Sequence, residues 1–259
     1  MIQIHLNFSL DIILIINRQQ YIFIFHFSLV NMEIKIIATI GPSSSNYSIL
    51  KRMINEGMDI ARINTKYGTL NEHLKITDSI LKIKGCKILY DIDGLKLIPW
   101  LKNKNFDYIA VSFSESAQQL KKIRKLFFPR CIKIIAKIES KKGIKNINQI
   151  IRECDGLMVA RGDLGKNIEY EELPIYQKIL IKKCKSKKKF VITATEMLLS
   201  MVKSKIPERS EVSDVANAIL DGSSALMLSE ETAIGKHPIK VIKVMEKIIT
   251  ETLENKKLL

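Results

Sequence analysis

Two segments decide the fold, KIIAKIES (residues 133–140) and DGLMVARGDLG (residues 155–165). Each runs apolar for about the length of a buried strand and then ends in charged residues, and the stretch between them carries apolar residues at helical spacing. That is one strand, helix, strand unit. The same alternation extends outward in both directions and gives eight strand-like runs: Ile34 to Ile40, Asp59 to Asn64, Lys87 to Asp91, Tyr108 to Phe113, Ile132 to Ile138, Gly156 to Ala160, Phe190 to Thr195 and Ala225 to Leu228. Helical stripes separate them, such as Val212, Val215, Ala216, Ile219 and Leu220. Repeated βα units imply a parallel sheet of the α/β class. Periodicity alone also permits an open doubly wound sheet, but a count of eight favours a single-domain (β/α)8 TIM barrel, which at ~250 residues uses nearly the whole chain. One connection is abnormal. Between Asp91 and Tyr108 there is barely room for a crossover, so a shortened connection is expected between strands 3 and 4.

The chain has 259 residues, 46% hydrophobic, enough to bury a sizeable core. Its net charge of +15 raises nucleic-acid binding. The lysines, however, are spread over almost every helix, and compact runs such as Lys185 to Lys189 sit at an expected helix end, where cations are favoured. No nucleic-acid partner is therefore expected. Cys86, Cys131, Cys154 and Cys184 form no CxxC pair and read as reduced, buried thiols of a cytoplasmic protein. Residues 1–31 form an apolar extension whose runs, Ile12 to Ile16 and Tyr21 to Val30, are short of the ~20 residues of a spanning helix. No membrane partner is expected either. The extension reads as a leader or a mis-called start; organellar targeting is not favoured, because MEIKIIATIGPSS opens a strand and turn directly at Met32. The barrel is assigned to residues 32–259.

In a closed barrel, reactive side chains collect at the carboxyl ends of strands. Strand two ends in Arg62 and Asn64, strand three in Asp91 and Asp93, strand five in Lys137 and Glu139, strand six in Arg161 and Asp163, and strand seven in Thr195 and Glu196. Lys137 needs a partner to be buried, and Glu139 and Asp163 can neutralise it. Two carboxylates against one cation leave one to spare, which suits a hard divalent ion such as Mg²⁺. In Arg161-Gly162-Asp163-Leu164-Gly165 the glycines allow close backbone approach to a ligand before a helix, and free amides at a helix start bind anions.

IIATIGPSS, GMDIARIN, KIIAKIES, DGLMVARGDLG, VITATEMLLSM and SDVANAILDG, in this order and spacing, resemble the pyruvate kinase family over roughly Glu33 to Leu253, and LMLSEETAIGKHP extends the likeness. The resemblance implies a glycolytic transfer of a phosphoryl group between phosphoenolpyruvate and ADP, giving pyruvate and ATP. It implies Mg²⁺, with Mn²⁺ as a substitute, held by Glu139 and Asp163. Lys137 matches the residue that stabilises the phosphoryl group in flight, and Arg62 the one that contacts that phosphate. Thr195 matches the hydroxyl in the proton-delivery path, and the Gly162 and Asp163 amides match the substrate carboxylate cradle. Self-association into a homo-oligomer is left open.

The departures fall in the nucleotide and monovalent-cation region, formed by Asn64, Lys66, Tyr67, Asp91 and Lys96. Where the family has Phe-Ser-His-Gly this chain has Thr65-Lys66-Tyr67-Gly68, so a histidine becomes Tyr67 and a cation-ligating serine becomes Lys66. Asp91-Ile92-Asp93-Gly94-Leu95-Lys96 resembles members that need no potassium, and the ammonium of Lys96 or Lys66 can supply that charge, so K⁺ is not expected to be required. An arginine that touches phosphate aligns with Ile98, and the family's lid and C-terminal regulatory domain have no counterpart, so weak turnover is expected. Two other readings stay open: an impaired barrel that binds phosphoenolpyruvate or an oxoacid, and a Mg²⁺-dependent oxoacid lyase or decarboxylase.

Overall fold

The computed structural model describes residues 3–4, 11–17, 20–26 and 33–258. The chain divides into two units, Met1–Glu33 and Ile34–Leu259. In the first, strands Asp11–Asn17 and Gln20–His26 pair antiparallel, Asp11 opposite His26, and Gln3–Ile4 pairs with the former. The leader and start-site expectations for residues 1–31 otherwise lie outside the described residues. No described helix is long and apolar enough to cross a membrane.

The second unit is a closed, all-parallel barrel of β1 (Lys35–Thr39), β2 (Met58–Asn64), β3 (Lys87–Ile92), β4 (Tyr108–Val111), β5 (Lys133–Ile138), β6 (Gly156–Ala160), β7 (Phe190–Ala194) and β8 (Ala225–Leu228). Ala225 of β8 lies opposite Lys35 of β1 and closes the ring. This is the (β/α)8 architecture. Three strands, β1, β4 and β7, stop earlier than their apolar runs suggest, and for β4 and β7 the backbone gives the reason. Phe113 (φ 46°) and Thr195 (φ 72°) are left-handed, so neither can continue a strand.

Side-chain alternation divides the apolar residues into two cores. Ile37, Ile60, Leu89, Ala110, Ile135, Met158, Ile192 and Met227 fill the barrel interior. The opposite faces of the strands pack under helices α1 (Tyr47–Asn55), α2 (Leu70–Ile83), α4 (Ala117–Phe127), α8 (Leu173–Ser186), α9 (Arg209–Asp221) and α11 (Pro238–Asn255). Between β3 and β4 there is only α3 (Ile98–Leu101), one turn long. Aromatic packing fills the space of a full crossover helix: Tyr90 meets Trp100 and Phe106 edge to face at 5.9 and 5.5 Å, and Phe106 meets Phe127 at 6.0 Å. Cys154 and Cys184 are buried, and burial pushes their thiols up to about 11 and about 12. Of the other two thiols, Cys86 is half-buried and Cys131 departs from the expected burial and lies on the surface.

The amino-terminal end of the barrel is closed by a repeated clasp. The Asp107 carboxylate accepts the Ile88 amide at 2.8 Å while the Asp107 amide donates to the Ile88 carbonyl at 2.9 Å. Asp155 does the same to Ile134, and Ser224 to Val191. Asp59 accepts the Ile36 amide at 2.8 Å. Each clasp satisfies the amide of the second residue of an odd strand from the start of the next even strand. Replacing Asp107 with alanine strands a buried amide, so we expect a loss of about 1–3 kcal/mol, read as a lower urea midpoint at unchanged slope.

Candidate active site

Two positions beyond the interior layer, the strands bring Thr39, Arg62, Asp91, Ser112 and Lys137 to one side of the carboxyl-end mouth and the small Ala160, Ala194 and Ser229 to the other. The mouth is thus lined by charge directly above an apolar plug. Asp91, only 2% exposed, is the hub. Its Oδ2 takes Arg62 through Nε at 2.9 Å and through a terminal nitrogen at 2.8 Å, and its Oδ1 lies 3.1 Å from Lys137 Nζ. The other terminal nitrogen of Arg62 donates to Thr39 Oγ1 at 2.7 Å, and that hydroxyl donates to the Leu228 carbonyl at 2.8 Å. Lys137 Nζ also meets Glu139 Oε1 at 2.9 Å and donates to Ser112 Oγ at 2.8 Å. The remaining Glu139 oxygen accepts the Phe113 amide at 2.6 Å.

Burial works against each of these charges, and their mutual attraction outweighs it. Desolvation would raise Asp91, but Arg62 and Lys137 hold its carboxyl below the usual range. Desolvation would lower Lys137, but Asp91 and Glu139 hold its ammonium above the usual lysine value. Asp91 and Lys137 are therefore a buried charged pair at neutral pH.

This corrects the expected pairing. Asp91, assigned from sequence to the nucleotide and cation region, is the second carboxylate on Lys137. Asp163 is not: it is half-exposed and pairs with Lys166 at 3.1 Å. Its segment is still tied to Glu139, because Asn167 Nδ2 donates to the carbonyls of both Glu139 and Asp163, at 3.0 and 2.9 Å. The Arg161 to Gly165 segment is itself a short helix, α7, rather than a turn preceding one. The Gly162 amide is not free for an anion, since it donates to Thr195 Oγ1 at 2.7 Å. Lys66 and Lys96 are both exposed, and no described ion pair holds either ammonium. Ile98, at the position of the expected arginine, is buried in α3.

Beside Arg62 lies a cavity of about 650 Å³ lined by residues including Pro42, Asn64, Tyr67, Glu72, His73 and Ser229. His73 carried no sequence signal, being one residue of a helical stripe. Here it is buried at the cavity wall, and burial holds its imidazole below the ordinary value. Ser229 is held by the buried Glu231 carboxylate, which accepts its amide at 2.6 Å and that of Leu198 at 3.1 Å. Thr39, Ser112, Asn167 and Ser229 are polar residues of the mouth that the sequence did not single out.

Barrel and cluster together define a (β/α)8 protein whose mouth holds two buried cations, each paired to a carboxylate. A family model described as pyruvate kinase, barrel domain, matches residues 31–97 and 89–242, and the two segments meet on the end of β3 and the start of the short connection. A pyruvate kinase of Thermococcus litoralis is 32% identical over 330 residues, covering 85% of this chain and 70% of its own length. One of Methanocaldococcus jannaschii is 37% identical over 226 residues, covering 83% of this chain and 50% of its own length. One of Geobacillus stearothermophilus is 51% identical over 152 residues, 58% of this chain and 26% of its own. The chain belongs to the pyruvate kinase family. It spans between about a quarter and 70% of the length of these relatives.

Two outcomes follow from the charges. Removing the hub as Asp91→Ala leaves Arg62 and Lys137 buried beside each other, and a loss of about 3–5 kcal/mol is expected in equilibrium denaturation. His73 acts at mild acidity. Because the folded chain holds it neutral, unfolding takes up a proton below the ordinary value of 6.5. Its contribution is thus fully present above about pH 6.5 and is lost as pH falls through the lowered folded value. The stability of wild type should decline in that window more steeply than that of a His73→Asn variant.

Proposed function

We propose that the chain catalyses Mg²⁺-dependent phosphoryl transfer between phosphoenolpyruvate and ADP. The observation that carries this reading is the buried Arg62, Asp91, Lys137, Glu139 cluster, which holds two cations at the barrel mouth where a trigonal phosphoryl group needs its oxygens stabilised. The phosphorus–oxygen bond of phosphoenolpyruvate breaks, a new one forms to the terminal ADP oxygen, and the enolate left behind takes a proton at its methylene carbon. Arg62 binds the phosphate, Lys137 stays with it through transfer, and Asp91 keeps both from moving. Thr195 Oγ1 lies in the proton path, with the α7 backbone facing the substrate carboxylate.

Glu139 and Asp163 fit a Mg²⁺ ion, which takes one or two protein carboxylates and fills its other positions with substrate oxygens and water. When bound, Mg²⁺ supplies charge neutralisation for the substrate's carboxylate and phosphate. Among the described residues no cluster of three or more acidic, histidine or cysteine side chains forms a self-sufficient metal cage, in keeping with an ion completed by substrate.

The cavity beside Arg62 is the nucleotide site in this reading, with Tyr67 at its rim offering a ring to the base. Potassium is not required, because the Asp91 carboxylate is already committed to Arg62 and Lys137. The one-turn connection of α3 leaves the mouth uncovered, which lowers turnover. The same openness favours a second reading, Mg²⁺-dependent oxoacid decarboxylation, which needs no nucleotide.

Pyruvate formation from phosphoenolpyruvate and ADP, coupled to lactate dehydrogenase with Mg²⁺ and no potassium, tests the proposal. Activity is expected that falls about 100-fold or more in Lys137→Met and changes by less than about twofold on adding potassium. A folded wild type no faster than Lys137→Met would sink it, and oxaloacetate decarboxylation by that same protein would establish the lyase.

A further inference from the structure

We infer that Arg161 is a positioning residue for Thr195, acting with Asp214 to hold the backbone of the proton-delivering hydroxyl in a conformation it would otherwise leave. The inference rests on the proposed role of Thr195. Thr195 and Glu196 are consecutive non-glycine residues in the left-handed region, at φ 72° and 52°. Such residues persist only where their surroundings over-determine them, and for the β-branched Thr195 the position is a clear outlier.

The Arg161 guanidinium supplies that restraint. Nε donates to the carbonyls of Ala194 and Thr195, both at 3.2 Å. One terminal nitrogen donates to the Thr195 carbonyl at 2.6 Å and reaches that of Glu196 at 3.3 Å. The other grips both Asp214 oxygens, at 2.8 and 2.7 Å. Three successive carbonyls of the turn are thus gathered on one planar fork anchored to α9. Only a guanidinium has donors enough, in one plane, for this arrangement. The residue after Arg161 completes the hold from the other side, as the Gly162 amide donates to Thr195 Oγ1 and that hydroxyl donates to the Ala194 carbonyl at 2.5 Å. One dipeptide of α7 therefore fixes both the backbone and the hydroxyl of Thr195, while Arg161 itself, 11% exposed at its side chain, turns away from the cluster around Lys137.

Proton delivery can be read apart from phosphoryl transfer by deuterium uptake. In D2O with Mg²⁺ and ATP, exchange breaks a methyl C–H bond of pyruvate, passes through the enolate and forms a C–D bond, with no net redox change. For the full chain, Arg161→Lys should lower methyl exchange about tenfold or more while the KM for phosphoenolpyruvate stays within about twofold. Asp214→Asn should act in the same direction, and it serves in place of Arg161→Lys if that variant does not fold. Adding Glu196→Gly, which makes one left-handed position unstrained, should restore exchange in the Arg161→Lys background by about threefold or more. Wild-type exchange in both single variants, loss of exchange and of phosphoenolpyruvate binding in equal proportion, or no rescue by Glu196→Gly would each overturn the inference. A folded wild type with neither transfer nor exchange instead removes the reading of Thr195 on which it rests.

Discussion

The mouth of this barrel depends on a single carboxylate. Asp91 sits between Arg62 and Lys137 in a place with almost no water, and none of the three can be buried alone. Their geometry follows from strand register: β2, β3 and β5 each bring a polar residue to the same height above the interior apolar layer, and Thr39 and Ser112 from β1 and β4 complete the hydrogen bonding. A rigid, pre-ionised cluster gains much from this arrangement. Its cations are already desolvated and oriented: the three ammonium hydrogens of Lys137 are shared among Asp91, Glu139 and Ser112, and Arg62 is fixed by Asp91 and Thr39. The same arrangement is a stability liability, since buried charges are the ones most costly to leave unpaired.

The barrel itself was legible because its signals are periodic and repeated. Eight apolar runs, each followed by a helical stripe, leave few topologies, and the short β3 to β4 connection is visible as a simple shortage of residues. The residues at strand ends were legible for the same reason, since Arg62, Asp91, Lys137 and Glu139 interrupt apolar runs where polar groups need a purpose. The partner choices were not. Nothing in residue order distinguishes Asp91 from Asp163 as the companion of Lys137; that depends on which strands are two apart around a closed ring and on the reach of a helix that follows β6. Thr39, Ser112 and Asn167 escaped notice because short polar residues in loops and strand ends are common, and only their contacts set them apart. His73 was hidden within an ordinary amphipathic stripe.

Family membership and local chemistry bear on different regions. The family match spans most of the barrel, whereas the charge cluster is confined to β2, β3 and the end of β5. Around α3 an aromatic group of Tyr90, Trp100, Phe106 and Phe127 fills the space under a one-turn connection. Ile98 and Leu101 of the connection are both buried, while Leu95 just before α3 stays exposed.

The clasps at the other end of the barrel join β1 to β2, β3 to β4, β5 to β6 and β7 to β8, and no equivalent side-chain clasp is described across the intervening seams. The ring is in this sense four double-stranded staves, each hooped within itself at its base; between staves run ladder hydrogen bonds, the shared core and single side-chain contacts such as Lys189 Nζ donating to the Cys154 carbonyl at 2.9 Å. The mouth residues ride at the far ends of different staves: Arg62 on the first, Asp91 on the second, Lys137 on the third. The Asp91 cluster therefore works as the upper hoop of the cask, tying the first three staves to one another at the mouth, whereas the four clasps at the base each act within one stave.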